Sequence, residues 1–148
     1  MSLKIEIDNP SVKIGDEIPV KTLLTNNTDQ VIQISKTSLL GDPCFQYMVD
    51  VEREDHAAVV KKYVEKIRRH EIKPVMQDPD SDGWTILAGS VIILHLPPGK
   101  SEEDLVHVSN RYEFDKPGNY FVQAEYELPE SLGGGFIKSN IITITVTP

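Results

Sequence analysis

The sequence predicts an all-β protein: an antiparallel two-sheet sandwich of about 7–9 strands, with an irregular insertion near 55–88. Three observations carry this. Apolar residues recur at every second position over short runs, which is the period of a strand with one face in the core and one in water. Clusters of Gly, Pro, Asn and Asp separate those runs. The chain of 148 residues is long enough to bury a core as a single domain, 1–148, without covalent staples.

The elements follow in order. Leu3, Ile5 and Ile7 alternate with polar neighbours, and Asn9-Pro10 ends the run. Ile18, Val20, Thr22 and Leu24 form a second run between Gly15-Asp16 and the turn Asn26-Asn27-Thr28-Asp29. Ile32 and Ile34 open a third, and Phe45, Tyr47, Val49 and Val51 a fourth. Residues 57–70 fit two states. Val60, Tyr63, Val64 and Ile67 fall at helical spacing among good helix formers, yet the stretch is also β-branched and aromatic enough for an irregular strand. Residues 71–88 form a long excursion with Pro74, Pro79 and Gly83. Strand pattern resumes at Gly89–Leu96, with Leu105–Val108 pairing nearby and one helical turn in Ser109–Phe114. Tyr120, Val122, Ala124 and Tyr126 share a face, as do Ile142, Ile144 and Val146. No internal repeat interrupts the series.

Composition excludes several partners. The charge of −8 repels phosphates and anionic headgroups, and no Lys/Arg stripe offsets it, so nucleic acid is not expected as a partner. No apolar run approaches the roughly 18–20 residues that span a bilayer, so no membrane insertion is expected. Cys44 stands alone, which rules out an internal disulfide and reads as a half-buried small hydrophobe. The chain opens directly on strand-like sequence. The expected location is the exterior or cell envelope if an upstream signal has been removed, and the cytoplasm otherwise.

The sharpest local pattern is Asp78-Pro79-Asp80-Ser81-Asp82-Gly83. Carboxylates at alternate positions followed by glycine match the start of a calcium loop, so Asp78, Asp80 and Asp82 are the candidate metal ligands and calcium the one candidate cofactor. The match stops at the twelfth position, which is Gly89 rather than glutamate. His70-Glu71 lacks the second histidine of a zinc-protease helix, because position 74 is Pro74. His95 and His107 flank Pro97-Pro98-Gly99 and are read as lying on neighbouring strands. Leu132 and Phe136 bracket Gly133-Gly134-Gly135 at a hairpin tip and form a candidate partner-binding loop. Arg53, Lys61, Lys62, Lys66, Arg68 and Arg69, mixed with Asp55 and Glu65, read as a solvated face able to dock an acidic partner. Asn26-Asn27-Thr28 is a formal glycosylation sequon that turn chemistry also explains. No catalytic constellation emerges, and no catalytic residue is assigned.

Two segments carry a family resemblance. One runs from Ile14-Gly15-Asp16-Glu17-Ile18-Pro19-Val20 into Leu24-Thr25-Asn26-Asn27-Thr28-Asp29-Gln30-Val31. The other runs from Leu96-Pro97-Pro98-Gly99-Lys100-Ser101 through Arg111-Tyr112-Glu113-Phe114 to Lys116-Pro117-Gly118-Asn119-Tyr120-Phe121-Val122. Both resemble bacterial immunoglobulin-like domains. Such domains include the non-catalytic β-domain beside deuterolysin-like and peptidyl-Lys metalloendopeptidases, and the intracellular proteinase inhibitor family. The resemblance spans roughly two-thirds of the chain and rests on turn and strand signatures. It implies an immunoglobulin-like sandwich in which Tyr120 is a core or corner tyrosine and Val122 stands where antibody domains place a cysteine. In those relatives the segment matching Tyr63–Arg69 tends to be extended. The excursion at 71–88 departs from the pattern.

These readings lead to a non-catalytic binding or accessory module of a bacterial exported or envelope protein, presenting loops to a protein or glycan. The alternatives are a proteinase inhibitor acting through 128–136 or 71–88, and a calcium-binding module acting through 78–83.

Overall fold

The computed structural model describes residues 1–39, 41–72 and 89–148. Ten strands, one short α-helix and two 3₁₀ turns are defined among them. The strands are β1 (Ser2–Glu6), β2 (Ser11–Lys13), β3 (Pro19–Thr25), β4 (Ile32–Leu39), β5 (Tyr47–Arg53), β6 (Gly89–Leu96), β7 (Ser101–His107), β8 (Gly118–Glu127), β9 (Phe136–Lys138) and β10 (Ile142–Thr147). Helix α1 spans Tyr63–Arg68.

The strands make an all-β sandwich. One sheet has the order β1-β3-β7 and the other β2-β10-β8-β5, with β9 also on β8. The predicted alternation sets the inner faces. Leu3 and Ile5 pair in register with Leu24 and Thr22, and Val20 pairs with Val106. Opposite them, Tyr47 pairs with Tyr126, Val49 with Ala124 and Ile144 with Tyr120. All of these are buried, whereas Lys4, Glu6, Lys21 and Glu103 on the outer faces carry the charge. Burying such side chains is worth roughly 1.5–3 kcal/mol each, the main term opposing chain entropy.

Strands β4 and β6 form a separate two-stranded ribbon. It lies over the core through Ile32, Ile34 and Leu96, all buried. Lys36 continues that inner face and reaches β7, where its Nζ lies 2.9 Å from Glu102 and 2.6 Å from Asp104. Those two carboxylates hold the Lys36 ammonium above its ordinary pKa, against the opposing effect of burial.

Turns are fastened by side chains that stand in for strands. Asn26 is wholly buried. Its Nδ2 donates to the carbonyls of Gln30 (2.7 Å) and Leu96 (2.8 Å), and its Oδ1 accepts from the N–H and hydroxyl of Thr28. Its main chain pairs with Gly99 and Lys100 of the Pro97-Pro98-Gly99 turn. Turn chemistry is therefore what this sequon does, and both Nδ2 hydrogens are already committed. The Tyr120 hydroxyl donates to the Lys116 carbonyl at 2.8 Å, which ties the start of β8 to the turn before it. Gly118 has φ of 137°, a conformation that favours glycine, and a Cβ there would stand 3.0 Å from the Arg53 guanidinium, which would have to give by a few tenths of an ångström.

The ambiguous stretch 57–70 resolves as an extended segment followed by a helix. Lys62 N–H donates to Arg111 O and Glu113 N–H to Val60 O, so the residues before the helix pair with the segment after β7. Helix α1 then buries Ile67, while Val60 and Tyr63 of the expected apolar stripe stay about half exposed. It ends in a Schellman motif: His70 N–H bonds Ile67 O, Glu71 N–H bonds Lys66 O, and His70 takes φ of 58° at the position glycine usually fills. The helical turn expected in Ser109–Phe114 lies slightly earlier, as a 3₁₀ turn at Val108–Asn110.

Candidate functional site

The charged segment read as a solvated face is turned partly inward. Glu65 is fully buried on α1, and Arg111, just after the 3₁₀ turn, is fully buried beside it. Arg111 Nη1 donates to Glu65 Oε2 at 2.6 Å and its Nε to Asp42 Oδ2 at 2.6 Å. Its remaining bonds go to the carbonyls of Tyr47 and Cys44, each at 2.8 Å. The second Glu65 oxygen accepts from Val49 N–H and Arg69 Nε, both at 2.9 Å, and Arg69 reaches on to Asp50 at 2.7 Å. Burial opposes the charge on Arg111, but Asp42 and Glu65 outweigh it and hold the guanidinium above its ordinary pKa. Among the described residues every buried side-chain polar atom has a partner. A saturated, occluded network has no group left to turn on a substrate, so its role is to clamp α1 and the loop at Asp42 onto β5.

The other sequence-derived candidates are dispersed. Asp78, Asp80 and Asp82 lie outside the described residues. His95 sits on β6 opposite Gln33, and His107 sits on β7 opposite Pro19, so the two occupy different sheets rather than neighbouring strands. Among the described residues no group of three or more His, Cys, Asp and Glu side chains is placed to hold a metal. Cys44 is buried with Sγ 3.2 Å from Leu105 O, and burial pushes its thiol up to about 11, which removes it as a nucleophile near neutral pH. Leu132 packs partly against the core, and Phe136 stays 49% exposed at the start of β9. The loop between them winds on itself. Leu128 N–H bonds Gly135 O, Gly134 N–H bonds Pro129 O, and all three glycines have positive φ. This is a compact turn rather than the extended backbone that substrate-like inhibition presents.

Two surfaces on the β4–β6 ribbon stand out. On β6, Val91, Ile92 and Ile93 are 62%, 56% and 54% exposed, in a strand with no charged residue from Gly89 to Leu96. On the other side of the ribbon a cleft of about 460 Å³ opens between β4 and the end of β8. Gln33 and Ser35 form one wall, Phe45, Tyr126 and Leu128 supply apolar surface, and Arg68 contributes a cation. Burial lowers the Arg68 guanidinium pKa from its ordinary value; its one hydrogen bond among the described residues is to Gln46 O.

No protein-family model matches the chain, and no curated protein matches it in sequence.

Sequence reasoning missed both surfaces. Val91-Ile92-Ile93 reads as ordinary strand sequence, and only the pairing pattern reveals that it is half bare. Arg111 carried no clear signal: it stands in the mixed run His107-Val108-Ser109-Asn110-Arg111-Tyr112-Glu113, and its buried partners lie far away in sequence. Among the described residues no helix is long and apolar enough to cross a membrane.

Proposed function

We propose that this chain is a non-catalytic binding or accessory module of a bacterial exported or envelope protein, and that it meets a protein partner through β6. The observation that carries the reading is the exposed run Val91-Ile92-Ile93 on an uncharged strand. Other strands at sheet margins are guarded by charge: β1 has Lys4 and Glu6, and β7 has Glu102, Glu103 and Asp104. Among the described residues β6 pairs only with β4, and bare, uncharged β-branched surface on such an edge invites strand pairing or apolar contact that proteins normally block unless it is used. The immunoglobulin-like reading behind the accessory role draws further support from the Tyr120–Lys116 hydrogen bond, the contact a corner tyrosine makes.

The test places a photo-crosslinking residue at position 93 and, as control, at the exposed position 4, in cells of the source organism. A partner trapped from 93 alone is then purified and titrated against the isolated domain. Binding that Ile93→Lys weakens at least tenfold supports the reading. Identical adducts from both positions, or purified binding indifferent to Ile93→Lys, sinks it.

A further inference from the structure

We propose that the cleft beside β4 is a strand-addition site for an extended peptide segment that carries a basic residue. It lies on the opposite edge of the ribbon from the β6 surface and stands or falls independently of it.

The geometry starts from the ladder. In an antiparallel pair, successive residues turn their main-chain groups alternately toward and away from the partner. Thr37 turns away from β6: its carbonyl accepts from Phe45 N–H at 2.9 Å and its N–H donates to Gln46 Oε1 at 3.0 Å. Ser35 and Gln33, two and four residues earlier, therefore present their main-chain groups to the same edge. At Thr37 the loop before β5 occupies that edge as a strand would. At Ser35 the Tyr126 hydroxyl reaches the main chain, and at Gln33 no strand partner follows among the described residues. Both residues are exposed and both line the cleft.

The edge thus continues into a cavity with an apolar floor, which is the arrangement by which extended peptides add to a sheet. Main-chain pairing at Gln33 would supply register, a peptide group displacing the Tyr126 hydroxyl at Ser35 would extend it, and the aromatic floor would take one alternate side chain. Charge selects the occupant. Among the described residues Glu127 and Glu130 both line the cleft and both are exposed, against one permanent cation, Arg68, which stands 3.8 Å from Glu127. The surplus carboxylate lies on a protein of net charge −8, so a lysine or arginine in the incoming segment is attracted and an acidic one repelled.

The experiment uses the full chain, isotopically labelled, and an array of blocked pentapeptides with either lysine or glutamate at the centre and varied apolar residues around it. Amide shifts are followed by NMR. The expected result is saturable shifts centred on Gln33 and Ser35 for lysine-centred peptides. They weaken at least tenfold when lysine becomes glutamate or when alternate peptide amides are N-methylated. The double substitution E127Q and E130Q removes most of the lysine preference while leaving the spectrum folded. Shifts confined to Val91–Ile93, shifts indifferent to N-methylation, or none across the array at millimolar peptide would each overturn the proposal.

Discussion

Arg111 and Glu65 are 46 residues apart in sequence, fully buried, and joined at 2.6 Å. The pair welds the segment from Val60 to Glu71 to the sandwich, because Glu65 lies on α1 while Arg111 also grips Asp42 and the carbonyls of Cys44 and Tyr47. Ions taken out of water are costly and are offset only by near-complete pairing. Removing one partner strands the rest. Arg111→Met is expected to destabilise the fold by about 3–5 kcal/mol in urea denaturation. A double change, Arg111→Met with Glu65→Leu, should recover part of that loss if the penalty is the stranded charge. Recovery of nothing would show that packing, not charge, dominates the site.

Asn26 supports a second expectation. Its side chain holds the Gln30 and Leu96 carbonyls and caps Thr28. Asn26→Ala leaves buried acceptors without donors and should cost about 2–3 kcal/mol. The folded geometry leaves no room for a glycan on Asn26, so natively folded protein secreted from a glycosylating eukaryotic host should be unmodified by mass spectrometry. A glycosylated, natively folded product would contradict the burial of Asn26.

The surface pair Arg53–Asp55 is visible to pH. Arg53 donates twice to the Asp55 carboxylate, at 2.9 Å each, and Ala57 N–H adds a third bond. These contacts, Arg53 foremost, push the Asp55 carboxyl down to about 2 from its ordinary 3.8. A depressed folded-state pKa means that the ionised form favours folding. Its contribution is therefore fully present above about pH 4 and is lost as pH falls through about 2. A carboxyl-detected NMR titration should give that low midpoint, and Arg53→Gln should return it toward 3.8.

Cys44 should be silent in the native state. Burial and the raised thiol pKa predict no reaction with a thiol reagent at pH 8 and one equivalent in denaturant. Rapid native labelling would mean that the loop from Gly41 to Gln46 opens locally.

The all-β class was legible in the linear chain because burial on one sheet face imposes a period of two, and that period survives in the residue order. Runs such as Tyr120-Val122-Ala124-Tyr126 and turns such as Lys116-Pro117-Gly118 carry their meaning locally, so the strand positions there followed from residue types alone. The middle of the chain did not behave that way. Val60 and Tyr63 read as the buried stripe of a helix, but Arg111, far along the sequence, drew Glu65 inward instead. A buried charge obeys its distant partner rather than its neighbours, so no local pattern could place it. The same holds for the two candidate surfaces. Whether β6 is covered, and whether the edge of β4 at Gln33 and Ser35 is filled, depends on which strands pair across the fold. Pairing is a non-local outcome of packing, and only the tertiary structure decides it.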